Sequence, residues 1–124
     1  MKIEKEKRII LDEKLKKFQE EMGIKFKDLS LLMVAFTHSS FAKRNKGEKI
    51  EDNERLEFLG DAVIKHVVSE YLYVKFPKLN EGDLTKIRSR MISDKNLAEL
   101  AQKMNLGEYI RFSYGEKVSG GKKL

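Results

Sequence analysis

Apolar residues recur at helical spacing along almost the whole chain. Leu11, Leu15, Phe18 and Met22 share one helical face, and Gly23 follows at a position suited to a left-handed terminator. Asp28 or Ser30 is placed to cap a second helix carrying Leu31, Leu32 and Ala35. A polar stretch, AKRNKGEKIEDN, broken at Gly47, separates these from a longer pattern. There Asp52 or Asn53 can cap a helix that runs to about Lys75, and Pro77 forbids its continuation. Two amphipathic helices follow, one with Leu84, Ile87 and Met91 inward and one with Leu97, Leu100, Ala101 and Met104 inward, ended by Asn105 or Gly107. The pattern predicts an all-α fold. The last stretch, SYGEKVSGGKKL, has the Gly and Ser content of a loop, and a domain closing on an unpacked loop reads as unfinished.

Composition narrows this to one domain over residues 1–124: 40% hydrophobic residues suffice for a modest single core. The longest apolar run, Leu31 to Phe36, is far too short to cross a bilayer, and MKIEKEKRII lacks the apolar core of a secretory signal. No membrane partner and a cytoplasmic location are therefore expected. With no cysteine, disulfide frameworks and thiolate metal sites are excluded. A net charge of +6 permits a polyanionic partner. Lysines alternate with glutamates in KIEKEKR and DEKLKK, however, which is the habit of a solvated helix face. Only the tail is lopsided, with Arg111, Lys117, Lys122 and Lys123 against Glu116.

The candidate chemistry lies on the long helix. Glu54, Glu57 and Asp61 stand at i, i+3 and i+7, within an arc of roughly 60° at about 100° per residue. Leu56, Leu59, Val63 and Val67 lie on the other side, which is expected to enter the core and leave the acids projecting. Like charges at i, i+4 destabilise an isolated helix by a few tenths of a kcal/mol, and a divalent cation reverses that sign. The competing reading is structural: acids near a helix N-terminus favoured by the macrodipole, with Asp61 balanced by Lys65. Gly60 favours the functional reading, because a glycine inside a strong helix marks a close approach. Phe58 lies toward the carboxylate side, as an aromatic at a partner surface does.

Elsewhere the bland readings win. His38 reads as a structural or capping histidine, and nucleophilic catalysis by Ser39 or Ser40 lacks an ordered base with an orienting third group. Lys86 and Arg88 near Glu81 suit phosphate contacts and solvated helix charge equally. GEKVSGG lacks the spacing and the following helix of a phosphate cradle, so no nucleotide cofactor is expected.

The run NERLEFLGDAV, Asn53 to Val63, closely resembles the signature of the ribonuclease III family. The resemblance extends through THSSF at 37–41, VSEYLYVKFPKLNEGDLTKIRS at 68–89, LAELAQKMNLGEYI at 97–110 and GEKVSGG at 115–121, in the family's order. It implies an all-helical homodimeric endonuclease that uses Mg²⁺, with Mn²⁺ as a substitute, to cleave double-stranded RNA in ribosomal and messenger RNA processing. By position, Glu57 and Asp61 are the implied metal ligands, Asp61 being essential to the reaction, and Glu54 and Glu81 are auxiliary catalytic acids. Phe58 becomes the dimer plug that enters the partner subunit. The family continues beyond its GG loop into a helix with a further pair of acids, whereas this sequence stops at Leu124. The resemblance thus implies a catalytic domain lacking its last helices and its double-stranded-RNA-binding domain, inactive in this form. A non-catalytic module of the same family, binding RNA or a ribosomal partner, is the rival reading.

Overall fold

The computed structural model describes residues 2–45, 47 and 49–113, and the GEKVSGG block and the expected tail loop beyond Ser113 lie outside them. The elements are α1 (Lys2–Met22), α2 (Leu29–Ala35), α3 (Ser39–Arg44), α4 (Glu54–Lys75), α5 (Glu81–Met91) and α6 (Asp94–Lys103), followed by a 3₁₀ turn at Leu106–Glu108. Among the described residues the fold is all-helical, and its sole extended pairing is an isolated bridge between Thr37 and Arg111. No helix of the described residues is long and apolar enough to cross a membrane.

Most helix ends follow local chemistry. Gly23 adopts φ 66° after α1 and Asn105 φ 55° after α6, the left-handed conformation that stops a helix. Asp28, Asn80 and Ser93 cap α2, α5 and α6 by accepting backbone N–H bonds from Ser30, Asp83 and Asn96. The short α3 was not legible, since its six residues carry too few apolar positions to show a period. It is capped by His38, whose Nδ1 accepts the Ser40 N–H at 3.1 Å, so the histidine is structural as expected.

The core is aromatic and joins distant parts of the chain. Phe18 of α1 meets Phe36 edge-on at 4.9 Å and Tyr109 at 5.2 Å between ring centroids, with Leu15 and Leu32 buried around them. The Tyr109 hydroxyl donates to Glu21 Oε2 at 2.7 Å, which ties the segment after α6 to the end of α1. Burial, with the Glu21 hydrogen bond and charge, pushes the Tyr109 pKa from 10.0 up to about 12. Because the folded value is raised, the neutral phenol contributes stability that is complete below pH 10 and lost as pH rises through about 12. Urea midpoints taken at about pH 9 and about pH 11.5 are expected to fall for the native chain. Tyr109→Phe starts from a lower midpoint and loses less; an equal loss in both would remove Tyr109 as the cause.

The packing of α4 differs from the sequence expectation. Leu59, Val63 and Val67 are 58%, 53% and 57% exposed, so beyond half-buried Leu56 the stripe expected to enter the core faces solvent instead. The packed row is Ile64, Val68 and Leu72, with Leu72 buried against α5, and it is the same helical row that begins with Glu57 and Asp61. The physical reason is that both sides of α4 are apolar along most of its length. Helical spacing marks both stripes as candidates; the return of α5 and α6 onto one side chooses between them. Met91 and Leu100, expected inward, are likewise 39% and 50% exposed.

Candidate functional site

The acids stand at the N-terminal end of α4, where the packed row runs out of neighbours. Glu54, Glu57 and Asp61 are all exposed, and the Glu57 amide donates to the Asn53 carbonyl at 2.8 Å in the first turn. Glu57 also lines a cleft of ≈ 690 Å³ between α4, α6 and the segment after the 3₁₀ turn. The cleft has an apolar floor of Ile64, Leu97, Ala101 and Met104, with Asp94 at the start of α6 on its far side. Sequence reasoning passed over Asp94 because an acid just after a serine cap is an ordinary first-turn residue.

The structure brings Glu54, Glu57 and Asp61 onto one helix end but places Glu81 elsewhere. Glu81 lines a shallow pocket with Ser69, Leu72 and Tyr73, near the opposite end of α4. Asp61 and Tyr73 are separated by roughly 18 Å along the helix at 1.5 Å per residue. Arg88 is half-buried and its guanidinium donates to Ser69 Oγ at 2.9 Å, while Lys86 is exposed. Phe58 is 83% exposed beside the acids. A Cβ built on Gly60 meets nothing within 4 Å, so among the described residues the close approach expected at Gly60 is absent.

As a metal site the arrangement is incomplete but chemically suitable. Among the described residues no group of three or more His, Cys, Asp or Glu side chains is close enough to hold an ion. Glu57 and Asp61, one turn apart and exposed, match the one or two carboxylates that Mg²⁺ takes when water fills its other positions.

A helix with acids on a solvent-facing end, braced by a short helical body, defines an all-helical domain with an open acidic face. The chain belongs to the ribonuclease-III-like family, whose model matches residues 28–124. It is 45% identical over 111 residues to a protein named ribonuclease 3 of Bacillus licheniformis, covering 90% of this chain and 45% of the relative. A ribonuclease 3 of Enterococcus faecalis is 49% identical over 104 residues, covering 84% of this chain and 45% of that protein. The chain thus spans about half the length of the curated relatives it matches. Among solved structures it resembles the nuclease domain of ribonuclease III from Campylobacter jejuni with a TM-score of 0.77 and 45% identity. That match covers 87% of this chain and 71% of the other, which was described for flexibility in a region involved in dimer formation. A second structure of the Campylobacter domain gives a TM-score of 0.76 at 45% identity, over 88% of this chain and 70% of that one.

Proposed function

We propose that residues 1–124 form a single domain of a cytoplasmic, double-strand-specific endoribonuclease of the ribosomal and messenger RNA processing type. The observation that carries this reading is the placement of Glu57 and Asp61: they continue a packed helical row into solvent, with Glu57 lining a cleft, on the helix that bears the family signature. Glu57 and Asp61 would hold Mg²⁺, or Mn²⁺ in its place, and Glu54 would add negative charge on the same face. When bound, the cation supplies an activated water and offsets charge on the phosphodiester. The protein's part is to fix the carboxylates and admit the duplex. Lys86 is available for phosphate contact; Arg88 adds little, being held by Ser69. Recognition is by backbone shape, not base sequence. Incubating duplex RNA and Mg²⁺ with the chain continued by the remainder of the Enterococcus faecalis relative tests the reading, with staggered products expected there and little cutting by the chain alone; binding without cutting by the continued chain would favour a non-catalytic module.

A homodimer fits the surface of α4. Phe58 is exposed among the described residues, and exposed Leu59, Val63 and Val67 widen the apolar area beside it. Glu81, remote from Glu57 and Asp61 within one chain, is an auxiliary acid only if an assembly brings it to a cleavage site. Sedimentation at tens of micromolar is expected to show a dimer for the native chain. Phe58→Ala should weaken that dimer by one to two orders of magnitude, about 1.4–3 kcal/mol, the range of a buried aromatic anchor. Equal dimerisation of the variant would remove Phe58 from the interface.

A further inference from the structure

Asn53 occupies the N-cap position of α4, yet its side chain makes no capping hydrogen bond. Asparagine is among the strongest N-cap residues, because its side-chain oxygen accepts a free first-turn N–H. Here Asn53 Nδ2 donates across to the Ala35 carbonyl at 3.1 Å, at the end of α2, eighteen residues away in sequence. The capping work passes to the preceding residue, as Asp52 Oδ1 accepts the Glu54 N–H at 3.1 Å. The Asn53 amide is also engaged outside its helix, donating to the Thr37 carbonyl at 2.9 Å. Both donors of this residue thus reach the Ala35–Thr37 turn, and none of its side chain serves the local helix.

The receiving turn is itself held by several hydrogen bonds. Thr37 is fully buried, and its hydroxyl donates to the Met33 carbonyl at 2.7 Å while accepting from Arg111 Nε and an Arg111 terminal nitrogen at 3.1 and 2.6 Å. The Arg111 guanidinium lies 4.5 Å from the centre of the Phe41 ring, and burial lowers its pKa from the ordinary value. Its backbone pairs on both sides of Thr37, donating to Phe36 at 2.6 Å and accepting from His38 at 3.0 Å. A turn held this way is a fixed reference, and Asn53 transfers that reference to the first residue of the acid-bearing helix. One residue later comes Glu54, and one turn later Glu57, whose amide bonds the Asn53 carbonyl at 2.8 Å.

We propose that Asn53 is a positioning residue: it gives up the local cap to lock the start of α4 to the Thr37–Arg111 turn, and so sets where Glu57 and Asp61 stand. The proposal deepens the nuclease reading above and rests on it for the purpose of that placement, although the lock itself does not. A residue that locally breaks the helix-end rule while satisfying a distant carbonyl is what a site held to a defined geometry requires.

Asn53→Asp separates positioning from capping. Aspartate caps as well as asparagine and suits the helix N-terminus better, but it has no donor for the Ala35 carbonyl and sets a negative charge against it. Positioning predicts a native-like helix content by circular dichroism with displaced amide chemical shifts at Ala35, Thr37, Glu57 and Asp61. It also predicts about tenfold weaker Mn²⁺ binding, read by paramagnetic broadening at Asp61, as for loss of an outer support of a metal site. The added charge alone would strengthen Mn²⁺ binding, so the two explanations differ in sign. Unchanged shifts at Ala35 and Thr37 would overturn the lock. Shifted resonances with undiminished Mn²⁺ affinity would overturn its purpose. A native chain that fails to bind Mn²⁺ at the acid face would sink the metal reading instead, and the shifts would still decide the lock.

Discussion

Replacing Asp61 with Asn is expected to lower Mg²⁺-dependent cleavage of duplex RNA by about three orders of magnitude while leaving the fold intact. Asparagine keeps the shape of the side chain and removes its charge, so the cation-holding pair is reduced to Glu57 alone. Water then competes for a cation held by a single carboxylate, and the phosphodiester loses its fixed partner. Stability is expected to move the other way. Glu57 and Asp61 repel at i, i+4, and neutralising one relieves about 0.2–0.5 kcal/mol of helix strain. An activity loss joined to a slight gain in stability is hard to produce by misfolding. Among the described residues no larger cluster of acids joins this pair, so the chain is expected to cut slowly by itself. Initial rates should therefore be compared on the chain alone and on a chimera continued with the remainder of the Enterococcus faecalis relative, with thermal unfolding in parallel. A rate unaffected by Asp61→Asn in the chimera would show that this carboxylate has no part in the reaction.

The largest stability loss is expected at Phe18. Its ring is 7% exposed and makes edge contacts with both Phe36 and Tyr109, so it joins α1, α2 and the segment after α6 at one point. Phe18→Ala removes the buried transfer term, two ring contacts and the packing around the resulting cavity, together about 3–5 kcal/mol. For a small domain, with total stability of about 5–15 kcal/mol, that is enough to leave a substantial unfolded fraction. Val67, on the exposed stripe of α4, provides the contrast. Val67→Ala is expected to change stability by less than about 0.5 kcal/mol in the monomer. Urea unfolding of both variants checks the pair, and a smaller loss at Phe18 than at Val67 would contradict the assignment of the core.

Both expectations depend on which face of which helix meets the body, and there the two levels of information part. Except for six-residue α3, helix identity was legible in the chain, because caps and terminators act on residues within one turn. Gly23, Asp28, Pro77 and Asn105 stop or start their helices by local hydrogen bonding or backbone conformation. The acid face of Glu54, Glu57 and Asp61 was legible for the same reason, since 3.6 residues per turn fix azimuth without any neighbour. So was a structural or capping role for His38, although the short helix that it caps was not.

The tertiary structure decided what lay between elements. It buried Leu72 and left Leu59, Val63 and Val67 in solvent, because a helix with two apolar stripes is oriented by the elements that return onto it. It separated Glu81 from the acids of α4, since only the docking of α5 determines which turn of α4 faces its N-terminus. It turned Asn53 away from the cap that its identity predicts, toward a carbonyl whose position depends on α2 and on Arg111. Sequence spacing determines what each helix offers, whereas distances between residues far apart in the chain depend on packing, which no local period records.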